Sequence, residues 1–136
     1  MRNYLPHYAK YGIPQPRYNE LRNFCLQYPL WQAEAKSLLG VGAQRYSSMP
    51  HGSGVGDPVA RAAEKREQLL TKIELVERVA RSVEGGKWYT ALIQNCCMGK
   101  GLSYIDPTIL PTSNRNAFYI ARRMFYLALD EIKGGI

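Results

Sequence analysis

The chain has 136 residues, 46% of them hydrophobic, and its 18 Lys and Arg outweigh 11 Asp and Glu to give a net charge of +7 and a pI near 9.5. That length suits one compact domain or a small domain with an appendage, and the apolar fraction excludes wholesale disorder. The positive balance favours a polyanionic partner, and no apolar run approaches the ~20 residues needed to cross a bilayer.

Charge is unevenly placed. Residues 1–56 hold six Lys or Arg against two acids, residues 57–84 hold six against six, and residues 85–136 hold six against three. Cys25, Cys96 and Cys97 are odd in number, and the adjacent Cys96-Cys97 pair is not a metal-binding spacing. With only His7 and His51 beside them, no zinc site assembles, and the cysteines read as small buried hydrophobes in a reducing compartment. No signal-peptide pattern opens the chain, so a cytoplasmic location is expected, with no metal, cofactor or membrane partner.

Residues 1–17 carry Tyr4, Tyr8 and Tyr11 among Pro6, Pro14 and Pro16. The prolines rule out a long helix and leave an irregular aromatic arm, which either packs over the body or orders on a partner. A helical pattern starts at Tyr18 with Leu21, Phe24, Cys25 and Tyr28. Pro29 interrupts it and then sits at the start of a second helix, over Leu30 to Leu39, with Trp31 and Leu38 inward. Residues 40–56 hold five glycines and read as a linker. No Gly-Lys-Ser/Thr follows them, which argues against a phosphate-cradling loop.

Asp57-Pro58 supplies an N-cap and a proline at the first helical position. A long helix should run from Pro58 to about Val83 and stop at Gly85-Gly86. Its seam of Val59, Ala62, Arg66, Leu69, Ile73, Val76, Ala80 and Val83 alternates steps of three and four, with Arg66 its one polar member. Such a narrow stripe packs against one helix, either within the chain or in a second copy as a homodimer through residues 58–83. A shorter helix over about Lys87 to Met98 buries Trp88, Ala91, Leu92 and Cys96, with Met98 a further candidate for its buried side. Asp106-Pro107 caps a single turn that places Ile109 and Leu110 in the core.

The last helix, capped by Thr112 and Ser113, has two faces. Phe118, Ala121, Phe125, Ala128, Leu129 and Ile132 face a core. Arg115, Tyr119, Arg122 and Tyr126 form a cationic, aromatic stripe with Arg123 beside it. The order of a helix at 87–98, a connection and a basic helix at 113–133 is that of a helix-turn-helix unit, although the connection exceeds the usual three or four residues. On this reading Thr112, Ser113, Asn114, Arg115 and Asn116 meet base edges, and unpaired amides at the helix start attract phosphate. Asn116 reads adenine, Arg115, Arg122 and Arg123 reach phosphate or guanine, and Tyr119 and Tyr126 bond phosphate or stack. No nucleophile, base or paired carboxylate site can be placed, so an enzyme is not expected.

The order of elements resembles the phage-encoded late-gene transcriptional regulators of the RinA and ArpU type. The resemblance is carried by Tyr28-Pro29-Leu30-Trp31, by the junction from Ser48-Met49-Pro50-His51-Gly52-Ser53-Gly54 to Asp57-Pro58-Val59, and by Phe118-Tyr119-Ile120-Ala121-Arg122-Arg123-Met124-Phe125-Tyr126. It implies a module similar to the promoter-contacting fourth region of sigma factors, sequence-specific DNA binding and control of phage or prophage genes in a bacterial host.

The expectation is therefore an all-α protein, a helical bundle with a long central helix and a C-terminal helix-turn-helix-like unit. It divides into 1–39 (arm and helical pair), 40–56 (linker) and 57–136. Its expected partner is double-stranded DNA, with RNA polymerase as a possible contact of the N-terminal half. The alternative is a phage packaging or assembly component, similar to a small terminase subunit, that oligomerises through its helices.

Overall fold

Periodicity at three and four residues dictates helices throughout, and a computed structural model shows helices and no strand over the residues it describes, 13–48 and 57–133, with side chains at 13–39 and 57–133. The elements are α1 (Gln15–Cys25), α2 (Tyr28–Ser48) and α3 (Pro58–Ser82), then a 3-10 turn (Val83–Gly86) and α4 (Tyr89–Leu92), which continues as a π turn (Ile93–Cys97). Two further 3-10 turns (Leu102–Tyr104 and Pro107–Ile109) lead to α5 (Arg115–Lys133). The aromatic arm expected before Ile13, both histidines and residues 49–56 of the expected linker lie outside the described residues.

The chain divides into two compact units, Tyr28–Leu75 and the described residues on either side of it, 13–27 with 76–133. This grouping differs from the 1–39, 40–56 and 57–136 division. Contacts made by α1 reach forward to α5, and α3 contributes residues to both units.

In the Tyr28–Leu75 unit, α2 starts at Tyr28, with Pro29 in its first turn where a missing amide costs nothing. It runs on to Ser48, past Gly40 and Gly42, so the linker expected from residue 40 does not begin there. Two glycines weaken a helix by about 1 kcal/mol each without forbidding it. Tyr28, Trp31 and Ala35 are buried on α2, and Ala62 and Leu69 on α3. The two helices run antiparallel. Lys72 lies 5.8 Å over the Trp31 ring, Lys65 pairs with Glu34 at 3.0 Å, and Arg66 Nε donates to the Ala35 carbonyl at 3.2 Å. The polar member of the α3 seam thus clamps the α2 backbone, and the seam finds its partner inside the chain.

In the other unit, Pro16 stands in the first turn of α1, whose Tyr18, Leu21 and Cys25 are buried. Arg17 bonds Asp130 of α5, Lys133 lies 3.9 Å over the Phe24 ring, and Tyr18 meets Tyr126 edge-on at 5.1 Å. Val76, Val79, Ala80 and Val83 carry the end of α3 into the same core. α3 ends at Ser82 because Glu84, Gly85 and Gly86 all take positive φ, 47°, 72° and 88°. That turn is pinned when Trp88 Nε1 donates to Glu84 Oε1 at 2.8 Å, while the buried Trp88 ring meets Phe118 at 6.0 Å.

On α5 the expected core residues Phe118, Ala121, Phe125 and Leu129 are buried, and Ala128 is half-buried. Two assignments are corrected. Tyr126, placed on the polar stripe, is 2% exposed, whereas Ile132, placed in the core, is 52% exposed. A helix face is a hundred or more degrees wide, so the core extends round to Tyr126 once α1 covers that side. Met98, a candidate for the buried side of the 87–98 helix, ends the π turn and is exposed. In the connection, Ile105 is buried while Ile109 and Leu110 reach only half-burial. No helix of the described residues is long and apolar enough to cross a membrane.

Candidate nucleic-acid interface

The start of α5 is set by a cap. Asn114 Oδ1 accepts from the amides of Asn116 at 2.9 Å and Ala117 at 3.3 Å, and Thr112 Oγ1 accepts from the Asn114 amide at 3.2 Å. An Asn in this position satisfies donors the first helical turn would otherwise leave open. This corrects two expectations: Asn114, rather than Thr112 or Ser113, caps the helix, and the amides of Asn116 and Ala117 are already engaged. All five residues from Thr112 to Asn116 are nevertheless exposed.

Further along, the candidate residues separate into two groups. With 100° of rotation per residue, the side of α5 opposite its buried face carries Asn116, Ile120 and Arg123, of which Asn116 and Ile120 are exposed and Arg123 is half-buried. Ile120 is 46% exposed and Met124, one turn on, 38%. Arg115, Tyr119 and Arg122 lie round the side of the helix. Arg122 stacks over the Tyr119 ring at 4.8 Å, and its Nη1 donates to Asn95 Oδ1 at 3.5 Å. Tyr119 in turn meets Phe118 at 5.6 Å. Half-buried stacking of this kind holds a guanidinium in place.

Asn95 had no signal in the sequence. It sits in the π turn Ile93–Cys97, where the Met98 amide donates back to Ile93 at 3.1 Å and that of Lys100 to Gln94 at 2.9 Å. Asn95 Nδ2 donates to the Lys100 carbonyl at 2.9 Å. The side chain therefore bridges α5 to the loop after the π turn, a register that helical periodicity alone does not reveal.

Behind this surface lie Cys25, Cys96 and Cys97, all buried free thiols. Burial pushes the Cys96 thiol up to about 12, against a bond from the Tyr126 hydroxyl and the charges of Arg122 and Arg22. A bond with Cys97, then burial, raises Cys25 strongly. Cys25 and Cys96 therefore stay protonated and unreactive at neutral pH. Among the described residues no group of three or more His, Cys, Asp or Glu could hold a metal ion. Asp106 accepts from the Thr108 amide at 3.0 Å and hydroxyl at 2.9 Å, and these bonds hold its carboxyl below the usual range. It is a turn cap.

The helix expected over 87–98 is thus an α turn passing into a π turn, and residues 98–114 separate it from α5 through two 3-10 turns. That connection is far longer than the turn of a compact helix-turn-helix. Comparison of the chain with protein-family models, with curated proteins and with solved structures returns no match.

Proposed function

We propose that this protein binds double-stranded DNA through the N-terminal half of α5 and regulates transcription, in the manner of the phage late-gene regulators its sequence resembles. The observation that carries the reading is one continuous exposed surface. The polar turn Thr112 to Asn116 leads into the exposed Ile120, with Arg123 half-buried beside it, on a helix whose opposite face is buried. Asn116 and Arg115 offer adenine and guanine partners, Ile120 offers an apolar contact for a thymine methyl, and Arg122 and Arg123 reach phosphate. The capping by Asn114 transfers the task of base reading to Arg115 and Asn116. The net charge of +7 supplies attraction to any duplex.

Selection of bound sequences from random duplex DNA tests this directly. The expected result is an enriched motif, bound more tightly than a scrambled duplex, with the preference relaxed by Asn116→Ala or Arg115→Ala. Recovery of no motif, with affinity that does not depend on salt, would end the DNA reading.

A further inference from the structure

We propose that Arg22, Lys100 and Arg122 form one cationic platform that holds the sugar–phosphate backbone of the duplex beside the α5 site. The inference rests on the DNA reading above and adds two residues that no sequence pattern had singled out. They come from three separate elements, and the packing brings those elements together. Arg122 donates to Asn95, whose amide donates to the Lys100 carbonyl, so the side chain on α5 and the loop after the π turn share one bridging residue.

The last turn of α1 joins them through Leu26. Its amide donates to the Arg22 carbonyl at 3.0 Å, which puts Leu26 one turn beyond Arg22 on the same flank of the helix. Leu26 Cδ2 would lie 3.6 Å from a β-carbon at Gly99, so α1 meets the loop at the residue next to Lys100. The charges of Arg22 and Arg122 both act on the Cys96 thiol.

The charge is available. Arg22 and Lys100 are exposed, and among the described residues neither has a carboxylate within ion-pair distance. Asp106 is the acid on which the Lys100 charge acts, and it is held by Thr108. Arg17, on the same helix as Arg22, contrasts with it, being tied to Asp130 and Glu20. Cations spread over three elements, without amide or carboxylate partners aimed at base edges, suit phosphates, which position a duplex without reading it.

The test is a salt titration of binding with a labelled duplex carrying the selected motif and a scrambled duplex of equal length. Arg22→Gln and Lys100→Gln, singly and together, remove exposed charge and leave the core untouched. The platform predicts that each variant lowers the slope of log affinity against log salt by about 1, and the pair by about 2. Both duplexes should weaken by the same factor, with the sequence preference unchanged, and the double variant Arg22→Lys with Lys100→Arg should keep the wild-type slope. A wild-type slope in the Gln pair, while the wild-type protein binds its motif, overturns the platform and leaves the α5 reading standing. A wild-type protein that binds neither duplex overturns both.

Discussion

Tyr18 and Tyr126 meet edge to face, with ring centroids 5.1 Å apart and planes at 78°. The contact decides which side of α5 is buried, because α1 covers the flank where the cationic stripe of the sequence would otherwise continue. The Tyr126 hydroxyl turns inward to Cys96, and burial pushes its ionisation well above the usual tyrosine range.

A buried Tyr126 should behave as a core residue. Tyr126→Ala is expected to cost about 3–5 kcal/mol of stability, the range for truncating a buried aromatic. Tyr126→Phe keeps the ring and loses one bond, for about 1 kcal/mol. Urea unfolding measures both, and DNA affinity of the Phe variant should equal that of wild type. A Phe variant with wild-type stability but weakened DNA binding would return Tyr126 to the interface.

Asn114 separates helix capping from DNA contact. Asn114→Ala should destabilise the fold by about 1 kcal/mol, because the amides of Asn116 and Ala117 lose their acceptor. Asn114→Asp keeps an acceptor and adds a favourable charge at the helix start, so it should be at least as stable as wild type. Beside a phosphate the same charge is repulsive, and DNA binding should weaken. An Asp variant that is stable and binds DNA as tightly as wild type would place the duplex elsewhere.

The elements that were legible in the sequence are those whose partners repeat along the chain. The α3 seam and the Phe118, Ala121, Phe125 and Leu129 face follow helical spacing. The α5 residues are buried, as are Ala62, Leu69, Val76, Ala80 and Val83 of the seam, while Val59, Arg66 and Ile73 are half-buried. Arg66 stood out as the polar residue in the seam, but only the α2 carbonyl it reaches explains it. Tyr126 and Ile132 exchanged roles because a wheel shows the direction of a face and not its width. Asn95, Arg22 and Lys100 were hidden for a different reason. The bridge from Arg122 through Asn95 to Lys100 depends on a π turn, and the approach of Leu26, after α1, to Gly99 joins segments distant in the sequence, neither of which leaves a periodic trace.

The turn after α3 predicts an order of sensitivity. Gly85 has φ of 72° with nothing within 4 Å of an added β-carbon, so Gly85→Ala pays only the left-handed backbone cost, about 1 kcal/mol. Gly86 has φ of 88°, and its β-carbon would lie 3.3 Å from the Arg81 carbonyl oxygen, so Gly86→Ala should cost more. Thermal or urea unfolding ranks the two. Equal costs, or the reverse order, would mean that the turn relaxes and that Arg81 does not crowd it.

The buried thiols predict how stability falls in alkali. An unfolded cysteine ionises near 9.0, whereas folded Cys96 holds its proton up to about 12. Between those values the unfolded chain has lost a proton that the folded chain keeps, so raising the pH favours unfolding. The contribution is complete below pH 9 and is lost as pH rises towards 12, with a limiting slope of about 1.4 kcal/mol per pH unit for each such thiol. Cys96→Ala should therefore lower stability at neutral pH through the small cavity it leaves, yet flatten the alkaline decline. Urea melts of wild type and variant at neutral pH and above pH 9 give the comparison, and parallel declines would show that Cys96 titrates as freely folded as unfolded.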